Sequence, residues 1–254
     1  MAVSNPANES EFMHSQTDFL QYWQDEGSIY KRGGDYDWMC SRLAAAAPRR
    51  VLEIGCGLGF STLSLLSAGY SVLSLDSLPI CLEKTTAAVA AWQQGAEPAS
   101  AASFATLAGD VAQLRATEMA AIEDFAPDAV VCWLFGAPVD VAGQGQAVVD
   151  YREQAHQRVV ALAARLPQVH SLHLVDRTII PWQAKDLARE TLLNYHRATT
   201  LQNSPFQLQR ADALYRRLQG GAAELAGLER LRRMDRNLKS VTPVLSSALA
   251  RRLG

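Results

Sequence analysis

From Val51 the chain reads Val-Leu-Glu-Ile and then Gly55-Cys56-Gly57-Leu58-Gly59-Phe60, an apolar run with one acid that breaks into a turn with glycine at every second position. The run predicts a buried strand, and the stretch opened by Phe60 predicts a helix. Glycine tolerates positive φ at little cost, and without a Cβ it lets a ligand approach the main chain. Such a turn belongs between a strand and a helix of an α/β sheet, which narrows the available architectures to a few.

The rest of the chain repeats that rhythm. Short apolar runs at 51–54, 71–75, 104–107, 129–133 and 170–175 predict five strands, and about 60–67, 79–93, 111–124 and 151–166 predict the helices between them. Alternation of this kind builds a doubly wound, Rossmann-like, mostly parallel sheet with helices on both faces. An Ala, Gly, Pro and Ser stretch at 94–103 reads as an exposed loop. Ahead of the sheet, 12–38 is aromatic and charged with helical spacing and a break at Gly33-Gly34, an N-terminal lid. The glycine pair between Tyr30 and Tyr36 suits either a hinge or an ordinary surface turn. Beyond Asp176, helical composition at 186–199, 206–219 and 222–234 predicts helical additions, and 239–249 fits a closing strand or a last helix. The expected organisation is a disordered 1–11 and a single domain over 12–254, with the lid at 12–48, a ligand-binding core at 49–176 and a basic C-terminal part at 177–254.

Composition excludes several classes. Cys40, Cys56, Cys81 and Cys132 are scattered without C-x-x-C spacing, and the closest histidines, His170 and His173, would point to opposite faces of a strand. Buried free thiols and no metal site are expected. No apolar run is long enough to span a bilayer, and the polar N-terminus is unlike a signal peptide, so a cytoplasmic protein without a membrane partner is expected. Net charge is -2, but from Arg210 onward ten Lys and Arg stand against four Asp and Glu, leaving about -8 for the remainder. That basic end fits either the solvated face of surface helices or a surface for phosphates.

The glycine turn has two nucleotide-type readings. A dinucleotide site wants a small residue where this chain has Phe60, and the bulky ring argues against a pyrophosphate and hence against a nicotinamide dehydrogenase. Asp76, with Ser77 beside it, falls seventeen residues after Gly59 at the end of the second predicted strand, where a carboxylate can accept hydrogen bonds from both hydroxyls of a ribose. Gly109-Asp110-Val111 follows the third. Together, Glu53-x-Gly55-x-Gly57-x-Gly59, Asp76 and Asp110 resemble the motifs of class I S-adenosylmethionine-dependent methyltransferases over roughly residues 49–176. The resemblance implies S-adenosyl-L-methionine as cofactor and Glu53, Gly55, Cys56, Gly57, Gly59, Asp76, Ser77, Asp110 and Val111 as the residues around it. In it the loop lies against the methionine part, Asp76 holds the ribose, Asp110 takes the adenine amino group and Val111 packs on the ring. Each element also has a structural reading, as a tight turn or a helix N-cap.

The acceptor is not named by these motifs. The fourth strand runs into Trp133-Leu134-Phe135-Gly136-Ala137-Pro138, without the acid or Asn before Pro-Pro and an aromatic that DNA amino-methylating enzymes carry, and without a Pro-Cys nucleophile. Trp133 and Phe135 fit a stacking surface or the core. His170, His173, Asp176, Arg177 and His196 stand where a base could sit, yet a sulfonium methyl can be transferred by alignment alone, and no catalytic residue is assigned. The expected activity is direct displacement onto an O, N or C atom of a small molecule or protein. Alternatives are an RNA methyltransferase docking through the basic C-terminal part, and a non-catalytic regulatory protein of this fold. The oligomeric state is open.

Overall fold

A computed structural model of the chain describes residues 16–95, 102–136, 146–219 and 241–253. Strands β1 (Arg50–Ile54), β2 (Ser71–Asp76), β3 (Phe104–Ala108), β4 (Ala129–Trp133) and β5 (Ser171–Pro181) pair in parallel in the order β3-β2-β1-β4-β5. Strand β8 (Val241–Arg252) runs antiparallel along the whole of β5, from Ser171 opposite Arg251 to Pro181 opposite Val241. On its far side β8 carries two short antiparallel strands, β6 (Phe206–Gln207) and β7 (Ala213–Arg217).

Successive strand residues alternate between two cores, as the pleat requires. Leu52, Ile54, Leu73 and Leu75 pack with Ile122 of α5 (Ala116–Phe125) and with Val159, Ala163 and Leu166 at α6 (Gln146–Arg165). Val51, Val72 and Val131 pack on the other face with α2 (Asp35–Ala44), α3 (Phe60–Ser67) and α4 (Pro79–Gly95), through Met39, Leu43, Leu65 and Val89. Helices therefore cover both faces, as expected. Helix α1 (Gln16–Arg32) and α2 are separated at Gly33-Gly34, also as expected. That turn is braced: Gly34 takes φ 67°, and Arg216 reaches from β7 to the Gly33 carbonyl at 2.8 Å and the Asp35 carboxylate at 2.6 Å.

The C-terminal part departs from the reading of 206–219 as a helix. Its Leu and Ala spacing fits a helical period, but β8 offers an unpaired edge, and the segment meets it as β6, a short 3₁₀ turn and β7. Pairing decides between two patterns that this composition leaves close in energy. Of the two options for 239–249, the strand is the one formed over the described residues, from Val241 onward. Among the described residues, 186–199 is helical as read, in α7 (Lys185–Tyr195) and the wide turn after it. The predicted 222–234 helix, the 1–11 tail and most of the 94–103 loop lie outside the described residues. Helix α5 starts at Ala116 rather than at 111, because Asp110 Oδ1 accepts the Ala112 amide and tightens a turn, and Glu118 accepts the Arg115 amide at the helix N-terminus.

Two polar devices fasten β8 into the core. Trp133 Nε1 donates to His173 Nδ1 at 3.1 Å, so that nitrogen carries no proton and Nε2 donates to Ser247 Oγ at 2.8 Å. Arg252 donates to the carbonyls of Ala163, Leu166 and Val169, closing the C-terminal end of α6.

Candidate functional site

The strand order reverses direction of winding between β1 and β4, and a crevice opens at the C-terminal ends of the strands there. Its floor is the glycine turn. Gly55, Gly57 and Gly59 take φ of 78°, 54° and 85°, a conformation that other residues enter at a cost. Around Gly57 nothing lies within 4 Å of where a Cβ would stand, so its backbone faces open space. Gly59 is turned the other way, its missing Cβ filled by Thr85 of α4 at 3.1 Å.

Two buried acids support this turn in different ways. Glu53, on β1, does not line the crevice; it accepts hydrogen bonds from Ser61 and Thr62 at the start of α3 and from Ser74 of β2. Burial raises its carboxyl pKa, and the three hydroxyls pull it part of the way back. Its role is to hold strand, turn and helix in register. Asp76 does line the crevice, accepting the Gly57 amide at 3.1 Å on one oxygen and the Leu78 amide at 3.0 Å on the other. Burial raises its pKa too, against those backbone bonds. Each oxygen keeps lone-pair capacity for a ligand hydroxyl. Beside it, desolvation pushes the Cys56 thiol far up, so this cysteine is no nucleophile at neutral pH.

Seven of the nine residues expected around a ligand line the crevice: Gly55, Cys56, Gly57, Asp76, Ser77, Asp110 and Val111. Glu53 and Gly59 stand behind them as supports. Asp110 is exposed and uses one oxygen for the Ala112 amide, so it meets a ligand only at the rim.

The roof comes from the segment 12–38 read as a lid, although no motif singled out its residues. Trp23, Glu26 and Gly27 of α1 and Tyr36 of α2 line the crevice from above, with Phe135, Gly136 and Tyr151 at one side. Tyr36 stacks on Phe60 at 6.3 Å, and a Cβ at Gly27 would lie 2.3 Å from the Phe60 ring. A glycine inside a helix costs about 1 kcal/mol relative to alanine, and that oddity was the available signal that α1 is pressed against something. Phe135 lies over Gly55, within 2.9 Å of its absent Cβ, and stacks on Tyr151 at 6.0 Å. Trp133 is core and crevice wall at once.

The candidate bases do not gather here. His173 is fully buried with Trp133 and Ser247, His170 meets the Ala46 carbonyl at 3.2 Å, and His196 meets Thr200 at 3.2 Å. Arg177 forms an ion pair with Glu26 and donates to the Leu134 carbonyl at 3.1 Å, tying β5 to α1 beside the crevice. Among the described residues no group of His, Cys, Asp and Glu could hold a metal ion, all four cysteines are buried and free, and no helix is long and apolar enough to cross a membrane.

No family model matches the sequence, and no curated protein matches it. Solved structures do. A protein from Galdieria sulphuraria provisionally assigned as a sarcosine dimethylglycine methyltransferase superposes with a TM-score of 0.50 at 16% identity, over 85% of this chain and 84% of that one. One from Pyrococcus horikoshii provisionally assigned as an RNA methyltransferase superposes with a TM-score of 0.50 at 11% identity, over 87% and 85%. This is the class I methyltransferase fold. In that fold the glycine turn, Asp76 and Asp110 occupy the ends of its first three strands, at the winding reversal where doubly wound sheets take ligands.

Proposed function

We propose that the protein is a methyltransferase that binds S-adenosyl-L-methionine in the crevice above the glycine turn. The observation that carries this is the convergence of the open Gly57 backbone, the Asp76 carboxylate and the Asp110 turn on one concave site, from segments far apart in sequence. The residues fit that cofactor: an unfilled backbone surface suits the amino-acid end, a buried carboxylate suits a ribose, and Leu78 and Val111 give an adenine apolar contact. When bound, the cofactor supplies an electrophilic methyl group for displacement by a nucleophilic O, N or C atom.

The chain's own part is placement and exclusion of water. Asp76 orients the ribose, the Gly55–Gly57 backbone cradles the amino-acid end, and Trp23, Tyr36 and Phe135 form an aromatic screen around the reacting end. Fixing two partners in this way lowers the barrier without proton transfer, and among the described residues no histidine lines this crevice.

The reading with RNA as acceptor loses part of its basis. Arg210 pairs with Glu190, Arg216 with Asp35, Arg251 with Asp212, and Arg252 is spent on α6, so these cations serve the fold. The test is calorimetry with S-adenosylhomocysteine: wild-type protein binds it and Asp76→Ala and Asp76→Asn lose affinity in that order, whereas no binding by folded protein at millimolar ligand overturns the assignment.

A further inference from the structure

A second cavity of about 610 Å³ opens beside the crevice, between α6, the C-terminal half of β5 and α7. Its volume is that of a small-molecule site. The two spaces share a partition. Glu26 of the crevice is ion-paired to Arg177 of the cavity, and Tyr151 and Arg152, adjacent on α6, line one and the other.

Three features define what the cavity takes. Most of its lining surface is apolar, with Ile179, Ile180, Pro181, Ala188 and Leu192 among the residues that supply it. Its mouth is rimmed by Val149, Leu187 and Tyr195, exposed at 54%, 70% and 39%, which are three of the four exposed large hydrophobics among the described residues. Apolar side chains gathered in water around a concavity mark a ligand site better than scattered ones do. The two cations inside are matched, Arg177 by Glu26 and Arg152 by Asp176 at 3.8 Å, while the lining carboxylate of Glu153 accepts from Gln157 at 3.5 Å. No cation there is left over for an anionic ligand.

Among the described residues three lining atoms are buried without a hydrogen-bond partner, His156 Nε2 and the Nε of Arg152 and of Arg177, and of these three groups the neutral imidazole is the one that can also accept. His156 is 5% exposed, lines the cavity, and has no hydrogen-bond partner for Nε2 among the described residues. His196 lines the cavity too, but its Nδ1 is held by Thr200 at 3.2 Å. Burial lowers the pKa of both rings, so each is a neutral imidazole near pH 7, offering one donor and one acceptor. A buried polar group without a partner is destabilising until something supplies one.

We propose that this cavity binds an uncharged, predominantly apolar small molecule through one hydroxyl-like group that hydrogen-bonds the His156 imidazole. Resting on the reading of the neighbouring crevice as the cofactor site, that molecule is the methyl acceptor, entering across the Val149, Leu187 and Tyr195 rim and meeting the cofactor at the Glu26–Arg177 partition.

Titration of the full chain with 2-naphthol, naphthalene and 1-naphthylmethylammonium, each with and without S-adenosylhomocysteine, tests it. The expected order is 2-naphthol about tenfold tighter than naphthalene, and the ammonium weakest. His156→Phe abolishes the preference for 2-naphthol, His156→Gln keeps part of it, and both bind S-adenosylhomocysteine as the parent does. Ala188→Trp, which fills the cavity, blocks 2-naphthol and spares S-adenosylhomocysteine, so the test stands even if the ring variants fold poorly. Equal binding of naphthol and naphthalene, a preference that survives in His156→Phe, tighter binding of the ammonium, or no naphthol binding by protein that binds S-adenosylhomocysteine overturns the proposal. If S-adenosylhomocysteine fails to bind while His156-dependent naphthol binding persists, the cofactor reading falls and the cavity remains a site.

Discussion

The two flanks of the sheet bury ionisable groups under opposite conditions. On the β1–β2 flank, Glu53 and Asp76 are carboxyls whose pKa burial has raised. On the β5–β8 flank, His173 and His196 are imidazoles whose pKa burial has lowered, to about 3 and about 4 from an ordinary 6.5. A raised carboxyl pKa favours the folded state at low pH, and that contribution is lost as pH rises through the raised value. A lowered histidine pKa does the reverse: its contribution is present above about 6.5 and is lost as pH falls toward 4 and 3. The comparison teaches that one flank buries charge-capable oxygen, with Asp76 facing the crevice, whereas the buried imidazoles of the other flank are kept neutral.

Acidification is the strongest way to break that contrast. Between pH 6.5 and 4, hydrogen exchange should accelerate first in β4, β5, β8 and α7 while β1 and β2 keep their protection. Full protonation of His173 costs on the order of 5 kcal/mol, because burial strips the charged ring of water, Arg42 adds like charge, and a proton on Nδ1 meets the Trp133 N–H at 3.1 Å. Simultaneous loss on both flanks would refute the division. Next in size, Asp76→Ala should weaken S-adenosylhomocysteine about 100-fold, roughly 3 kcal/mol, since a buried acceptor for two hydroxyls disappears. An unchanged affinity by calorimetry would remove Asp76 from the site. Glu53→Ala should instead cost about 2 kcal/mol of stability in urea unfolding by stranding three hydroxyls, with affinity falling only a few fold. A larger loss of affinity than of stability would show that the two acids share a role. Smallest, Gly27→Ala gains about 1 kcal/mol of helix propensity and loses about as much to the Phe60 ring. Thermal melting should shift little, while a several-fold loss in S-adenosylhomocysteine affinity would report that α1 has lifted.

The contrast also explains what could be read in advance. Strand β4 and helix α3 fall on the residues expected, because Val130-Val131 and the Gly59-Phe60 boundary are local signals that no distant partner alters. Asp76 and Asp110 were visible for the same reason, each being an acid at the end of an apolar run. Strand β5 runs six residues past Val175, since Asp176-Arg177 looks like a strand end until β8 and Glu26 supply partners. Strand β7 was read as helix, and its identity depends on an edge made by residues thirty positions later. The roof residues Trp23, Glu26 and Tyr36 carry no motif at all, because what selects them is a surface created elsewhere. His156 sits in an ordinary amphipathic helix, and only the surrounding cavity singles it out.

Strand β8 has a further consequence for how the molecule is made. It lies inside the sheet, between β5 and the short strands β6 and β7, yet all three precede it in the chain. During synthesis β6 and β7 therefore leave the ribosome with no ladder to join, and β5 waits with one side open. The cavity takes walls from β5, β7 and β8, so ligand capture on that flank arises late, whereas the glycine turn and its two acids have their partners once α4 has emerged.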